Sequence, residues 1–179
     1  MPLPLVMSGG DVDPDRSVTF YVRNLYADRN DDTCRPRYIR VIIHPDTEHL
    51  RREAERYGRE GHARDGDVIE PDTIALFQPS KFRAVIGSDR RTWIDTSTSF
   101  AGMLRLSRDH LTPDILAHEA IHAAAHITRL HNWHAHGGGR LSLGDGDSGD
   151  AEESFAYLAG GITAVISNRV WDYLQATAA

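Results

Sequence analysis

The segment that decides the fold is residues 112–122, which reads TPDILAHEAIH. Thr112 is a good N-cap, Pro113 suits the first helical position, and Asp114 favours the positive end of a helix. Neither glycine nor proline interrupts the chain from there to about Leu130. The segment therefore predicts a helix that begins at Pro113.

The predicted helix has an apolar stripe along one side. Apolar residues recur at helical spacing, and they are Leu116, Ala120, Ala123, Ile127 and Leu130. His118 and His122 lie off this stripe. We therefore expect one side of the helix to be buried and both histidines to project from another side.

Residues 118–122 also spell H-E-x-x-H. On a helix this spacing places the imidazoles of His118 and His122 on one face, about one turn apart, which suits two ligands of a single tetrahedral Zn²⁺. Glu119 lies beside the first histidine, where it can act as general base toward a metal-activated water. The pattern predicts a zinc site that hydrolyses its substrate. The alternative is an alanine-rich helix with incidental histidines.

A catalytic zinc needs a third protein ligand and an open position. His126 continues the histidine ladder, but it stands two turns from His118 and cannot join both histidines on one metal without distorting the helix. A better candidate lies downstream, where Glu153 and Ala156 form E-x-x-A in a segment that again looks helical.

With these two motifs, residues 112–159 resemble the gluzincin metallopeptidases, and within them the compact ImmA/IrrE-like peptidases of bacteria and their mobile elements. The resemblance implies an α+β, zincin-like domain in which a small twisted sheet precedes the motif helix and a glutamate helix packs across it. It implies that Glu119 is the base and that zinc is bound by His118, His122 and Glu153. Tyr157 falls where that group usually has phenylalanine.

Two alternatives to Glu153 as the third ligand stay open, and Glu153 itself has an alternative role. Glu152 lies on the adjacent face of the same segment, and the loop 131–150 contains histidines and aspartates. Asp150 followed three residues later by Glu153 is also a capping-box pattern, which would employ Glu153 at a helix start.

Peptide hydrolysis also requires a hydrogen-bond donor for the tetrahedral oxyanion. The candidates are Tyr157, which we include among the catalytic residues, and His134, His136 and Tyr173. The sequence does not choose among them.

Alternating apolar residues predict strands before the motif helix. The predicted strands are residues 17–23, 37–43, 68–77, 82–86, 91–95 and 101–107. In zincin folds an edge strand beside the motif helix pairs with extended substrate, so 101–107 is either that edge strand or an ordinary interior strand.

Two further helices are predicted. Residues 46–57 form a charged helix whose Arg/Glu alternation favours a solvated face over a binding patch. Residues 162–174 form an amphipathic final helix, and Gly160 and Gly161 are expected to kink or end the helix before it.

Composition agrees with one enzyme domain at 17–179 that follows a flexible tail at 1–16. A chain of 179 residues with 40% apolar content can bury a core. The net charge of −6 argues against nucleic acid as the main partner, and Cys34, the single cysteine, excludes an intramolecular disulfide. We expect no signal peptide at the N-terminal residues, which lack a basic region and an adequate apolar region, and the apolar runs are too short for a membrane span. We expect a cytoplasmic zinc enzyme that acts on a protein or peptide.

A competing function is a non-catalytic zinc module that binds a partner protein. Its zinc would be coordinated by four protein ligands, among them His134 or His136, with no coordination position open for water. Glu119 argues against this function, because a structural site needs no base. A third possibility is a regulatory protein that keeps the peptidase fold and depends on a partner for activity.

Overall fold

The computed structural model describes residues 16–27, 32, 34–57, 69–80, 83–86, 92–95, 99–136 and 149–178. Within this part of the chain the elements are β1 (Val18–Leu25), β2 (Arg37–His44), α1 (Thr47–Tyr57), β3 (Ala75–Pro79), β4 (Arg83–Ile86), β5 (Thr92–Asp95), β6 (Phe100–Ser107), a 3-10 turn (Arg108–His110), α2 (Pro113–His136) and α3 (Gly149–Thr177). The predicted α+β class is confirmed. The tail predicted at 1–16 lies outside the described residues, apart from Arg16.

A mixed four-stranded sheet has the strand order β1-β2-β6-β3. β1 pairs antiparallel with β2, β2 runs parallel to β6, and β3 is antiparallel to β6. β4 and β5 form a separate two-stranded antiparallel sheet. Both outer strands of the main sheet therefore run opposite to the two central ones.

Helices cover both faces of the main sheet, because its central strands are apolar on one face and largely polar on the other. Ile39, Val41 and Ile43 of β2 are at most 1% exposed and belong to the core cluster formed with α2 and α3. On the opposite face α1 buries Leu50 and Ala54. The result is a layered arrangement, with α1 on one side of the sheet and α2 and α3 on the other.

The strand at 101–107 is interior, which resolves one of the open alternatives. Residues 101–107 are all buried, and β6 lies between β2 and β3. Of the two alternatives, the interior strand is therefore the correct one. β3 is the edge strand of the sheet on the side of α2.

The strand predicted at 68–77 begins later than its pattern indicates. Pro71 and Asp72 form a turn, in which the Thr73 backbone N–H donates to the Glu70 carbonyl at 3.0 Å. Proline and aspartate favour such turns, so the extended strand begins only at Ala75.

The α3 helix runs without interruption through Gly160 and Gly161, so the predicted kink or end at these residues is wrong. Each glycine costs a helix about 1 kcal/mol relative to alanine. Burial of the flanking Leu158, Ala159 and Ile162 outweighs that cost, because these side chains pack into the core only in a continuous helix.

Gly102 is the one position in the main sheet where the structure requires glycine. Its φ is +153°, and a Cβ atom there would lie 2.6 Å from the Gln78 carbonyl oxygen and 2.7 Å from the Phe77 ring. The register between β2 and β6 also shifts just before it. The backbone at this point bends close to β3 in a way that no larger residue permits.

We expect Gly102→Ala to lower the free energy of unfolding by about 2–4 kcal/mol, because the added methyl group is overpacked and the backbone strained. Gly161→Ala is the matched control. Its Cβ would meet nothing within 4 Å, so this change should raise stability by up to about 1 kcal/mol. Urea denaturation of both variants measures the difference, and equal effects would refute the account of Gly102.

Candidate metal site on the H-E-x-x-H helix

The motif helix forms as the sequence predicts. α2 begins at Pro113, and its first hydrogen bond runs from the Leu116 N–H to the Thr112 carbonyl at 3.1 Å. Every member of the predicted apolar stripe is buried. His118 and His122 are both exposed. The rotation of the helix about its axis is therefore the predicted one.

His118 and His122 are brought together on the exposed face. Their Nε2 atoms are 3.1 Å apart, and the ring centroids are separated by 4.7 Å with the planes at 72°. Two nitrogens on one tetrahedral zinc are about 3.3 Å apart, given Zn–N distances near 2.05 Å. The pair is thus close to the geometry of two ligands on one metal.

The charge state of His122 also suits a ligand. Burial lowers its pKa, and the nearby His118 and Arg129 lower it further. A neutral imidazole has a free lone pair, whereas a protonated ring cannot bind a metal. The surroundings of His122 thus favour the ligand form at neutral pH.

Glu119 lies on the inner side of the same turn. Its side chain is only 6% exposed, and its Oε2 atom is buried without a hydrogen-bond partner among the described residues. Burial raises the pKa of Glu119, while His118 and a backbone hydrogen bond from Phe77 act in the opposite direction. Glu119 thus places a buried carboxylate oxygen without a described hydrogen-bond partner beside His118 and His122.

The Phe77 contact joins the motif helix to the edge strand β3. The main chain of β3 bonds to β6 through alternate residues, as the bonds from the Ser80 N–H to Ala101 and from the Ser107 N–H to Ile74 show. In such a ladder the intervening residues point their N–H and C=O groups outward. The outward N–H of Phe77 is the one that reaches Glu119.

His126 is a buried neighbour of this contact. It is 6% exposed, and its ring lies 5.9 Å from that of Phe77, measured between centroids. The sequence indicated that His126 could not join the two histidines on one metal and that it either supports the ligands or lies at the surface. Its burial excludes the surface position. Its packing against Phe77 depends on the position of β3, which no local pattern reveals.

The structure does not bring Glu153 to the histidines. In the described part of the chain, no three His, Cys, Asp or Glu side chains are close enough to hold one metal ion. Glu153 is exposed, and at about 100° per residue it lies about 180° around α3 from the buried Ile162, whereas Glu152 lies about 80° from it. Glu153 as third ligand stays a prediction.

The oxyanion candidates are scattered. Tyr157 is 74% exposed and lines a pocket against Asn24 and Leu25 of β1, which neither histidine lines. Tyr173 is buried in the core at 3% exposure. His134 and His136 lie in the last turns of α2, and their side chains are outside the described part. The catalytic role of Tyr157 therefore also stays a prediction.

Comparisons with protein families, curated proteins and solved structures find no match to this chain. The arrangement of the side chains around α2 therefore carries the functional argument. In the described ranges, the helices are too short or too polar to cross a membrane. The cytoplasmic location expected from the sequence stays a prediction.

We expect the purified protein to bind about one zinc per chain, because the two Nε2 atoms are already near ligand spacing. His118→Ala and His122→Ala should each lose most of the metal. His110→Ala, which removes an exposed histidine from the turn before α2, should keep it. Elemental analysis after gel filtration gives the ratio, and equal zinc in all four proteins would exclude the proposed site.

For the third ligand we expect Glu153→Ala to weaken zinc binding and Glu152→Ala to leave it nearly unchanged. The loss of one carboxylate ligand removes a negative charge and one metal bond, so competition with a chelator should show the difference directly. The opposite result would assign the metal to Glu152, which lies nearer the buried side of α3, and would leave Glu153 as a helix cap.

Proposed function

We propose that this chain is a zinc-dependent endopeptidase with a zincin-like fold. One observation carries the proposal. Glu119 holds a buried carboxylate oxygen without a partner in the described region, immediately beside two histidines whose Nε2 atoms are 3.1 Å apart. A buried carboxylate oxygen without a hydrogen-bond partner destabilises the fold unless another group binds it. Packing of the helix therefore does not explain why Glu119 is at this position.

Imidazole nitrogens and carboxylates are common zinc ligands. His118 and His122 would hold the metal, and Glu153, which the structure does not bring to them, is the third ligand proposed from the sequence. When bound, zinc supplies a Lewis acid that polarises the scissile carbonyl and lowers the pKa of water.

Glu119 would serve as the general base and then as the acid. Its carboxylate takes a proton from water and delivers it to the leaving amine of the cleaved peptide. The raised pKa of Glu119 favours this task, because a base works best when its pKa is close to the working pH. Burial is the main cause of that shift.

The free edge of β3 would hold the substrate in an extended conformation. Ala75, Phe77 and Pro79 direct their main-chain groups away from β6, and in the described part β3 has no partner strand on that side. An extended peptide can add to such an edge through main-chain hydrogen bonds. Because Glu119 contacts Phe77, a peptide bound there would pass close to the base.

We expect Glu119→Gln to keep the fold and the zinc but to lower kcat by about 10²–10⁴, since the amide cannot accept the proton of water. Glu48→Gln, an exposed change in α1, is the control and should retain full activity. Substrates can be found by incubating each protein with a proteome and sequencing the new peptide termini.

Zinc-dependent cleavage of equal rate in Glu119→Gln and wild type would disprove the assigned base. Absence of cleavage by the wild type, together with four protein ligands on its zinc, would favour the non-catalytic zinc module instead.

A further inference from the structure

A cavity lined by arginines lies on the face of the main sheet opposite to the H-E-x-x-H helix. It has a volume of about 340 Å³ and opens between α1 and the strands β1, β2 and β6. Three arginines line it, Arg40, Arg56 and Arg105, whereas Glu53 is its one carboxylate. Glu53 already pairs with Arg56, whose side chain is 63% exposed at the rim. Glu53 also raises the pKa of Arg105, so a single carboxylate serves all three arginines of the lining.

Arg105 forms the floor of this cavity and is only 4% exposed. Its Nε–H donates to Gln78 Oε1 at 2.7 Å, and an Nη1–H donates to His44 Nε2 at 3.1 Å. A guanidinium has five N–H donors, so three have no nitrogen or oxygen acceptor among the described residues. The guanidinium also lies over the Tyr57 ring, 5.6 Å from its centroid. Burial lowers the pKa of Arg105 to about 10, which leaves the group charged at neutral pH.

The two hydrogen-bond acceptors of Arg105, on Gln78 and His44, orient its guanidinium group and are themselves uncharged. A guanidinium can only donate, so His44 Nε2 must be an acceptor, and the His44 proton lies on Nδ1, 3.1 Å from Ser17 Oγ. Burial and Arg105 lower the pKa of His44 to about 3, so the ring is neutral. Gln78 is neutral as well, and its Nε2 is held by the Ala54 carbonyl at 3.2 Å.

Arg40 is a second arginine of the cavity lining. Its Nε atom is buried and has no hydrogen-bond partner among the described residues. The charges of Arg40 and Arg56 lower the pKa of Arg105, although Glu53 and Tyr57 raise it by more. Arg105 is the buried member of this group, and a buried cation is costly unless an anion compensates it.

We infer that this cavity binds a small oxyanion, a phosphate or carboxylate group of a small molecule, between the guanidinium groups of Arg105 and Arg40. Guanidinium forks match the oxygens of both groups through paired hydrogen bonds. The volume is at the lower end of the range for small-molecule sites, so the ligand is compact. Ile42, Met103 and Tyr57 supply an apolar wall for its remainder.

The test is calorimetric titration of the full chain with inorganic phosphate and, separately, with acetate, at matched ionic strength with chloride as the reference. We expect saturable binding of one anion per chain, and the anion with the lower Kd shows which chemistry the site prefers. Arg40→Gln should weaken binding by about tenfold or more, because a charge-assisted bond is lost. Arg52→Gln, which removes an exposed charge of α1 outside the cavity lining, should change Kd less than twofold.

A second measurement on the wild type avoids any dependence on the folding of the variants. The Nε–H resonances of Arg40 and Arg105 should shift on anion addition in ¹H–¹⁵N spectra, whereas that of Arg52 should not. Failure of both anions to bind saturably, or equal weakening in Arg40→Gln and Arg52→Gln, would overturn the inference. The zinc site and its activity do not enter this test.

Discussion

The arrangement of the molecule depends on how closely α2 packs against its neighbours. Ala120, Ala123 and Ala124 are completely buried, and their small side chains allow the helix backbone to approach the sheet and α3. This contact fixes the rotation of the helix about its axis. Glu119 is consequently turned inward toward β3, while His118 and His122 stay at the surface. A larger side chain at any of the three alanines would rotate or displace all the groups of the site together.

The local features of the fold could be predicted because they depend on neighbouring residues. The start of α2 follows from Thr112 and Pro113, and its buried stripe follows from helical periodicity. The edge position of β3 could not be predicted, since strand order is set by contacts between distant segments. For the same reason the contact between Phe77 and Glu119 has no signal in the sequence. At Gly160 the prediction failed for a different reason. Glycine does disfavour a helix, but burial of the neighbouring side chains of α3 outweighs that local preference.

The cavity lined by arginines does have a signal in the sequence. Arg40 and Arg105 interrupt strands that are otherwise mostly apolar, RYIRVIIH and FAGMLRLS. An arginine in such a strand faces solvent, faces a cavity, or is buried with partners. The charged pattern of 46–57 predicts a solvated face, yet Glu53 and Arg56 of this helix line the cavity. Periodicity identifies the side of a helix that is apolar, but it does not reveal what the polar side meets.

The outward N–H group of Phe77 links the acidity of the Glu119 carboxyl group to the free edge of β3. It lowers the pKa of the carboxylate, against the larger effect of burial. A peptide strand that pairs with β3 competes for the same outward N–H group. Once the peptide accepts that bond, Glu119 loses a stabilising partner of its charged form, and its proton affinity rises. If the proposed function is correct, occupation of the β3 edge and the proton affinity of Glu119 would therefore be coupled through one main-chain N–H group.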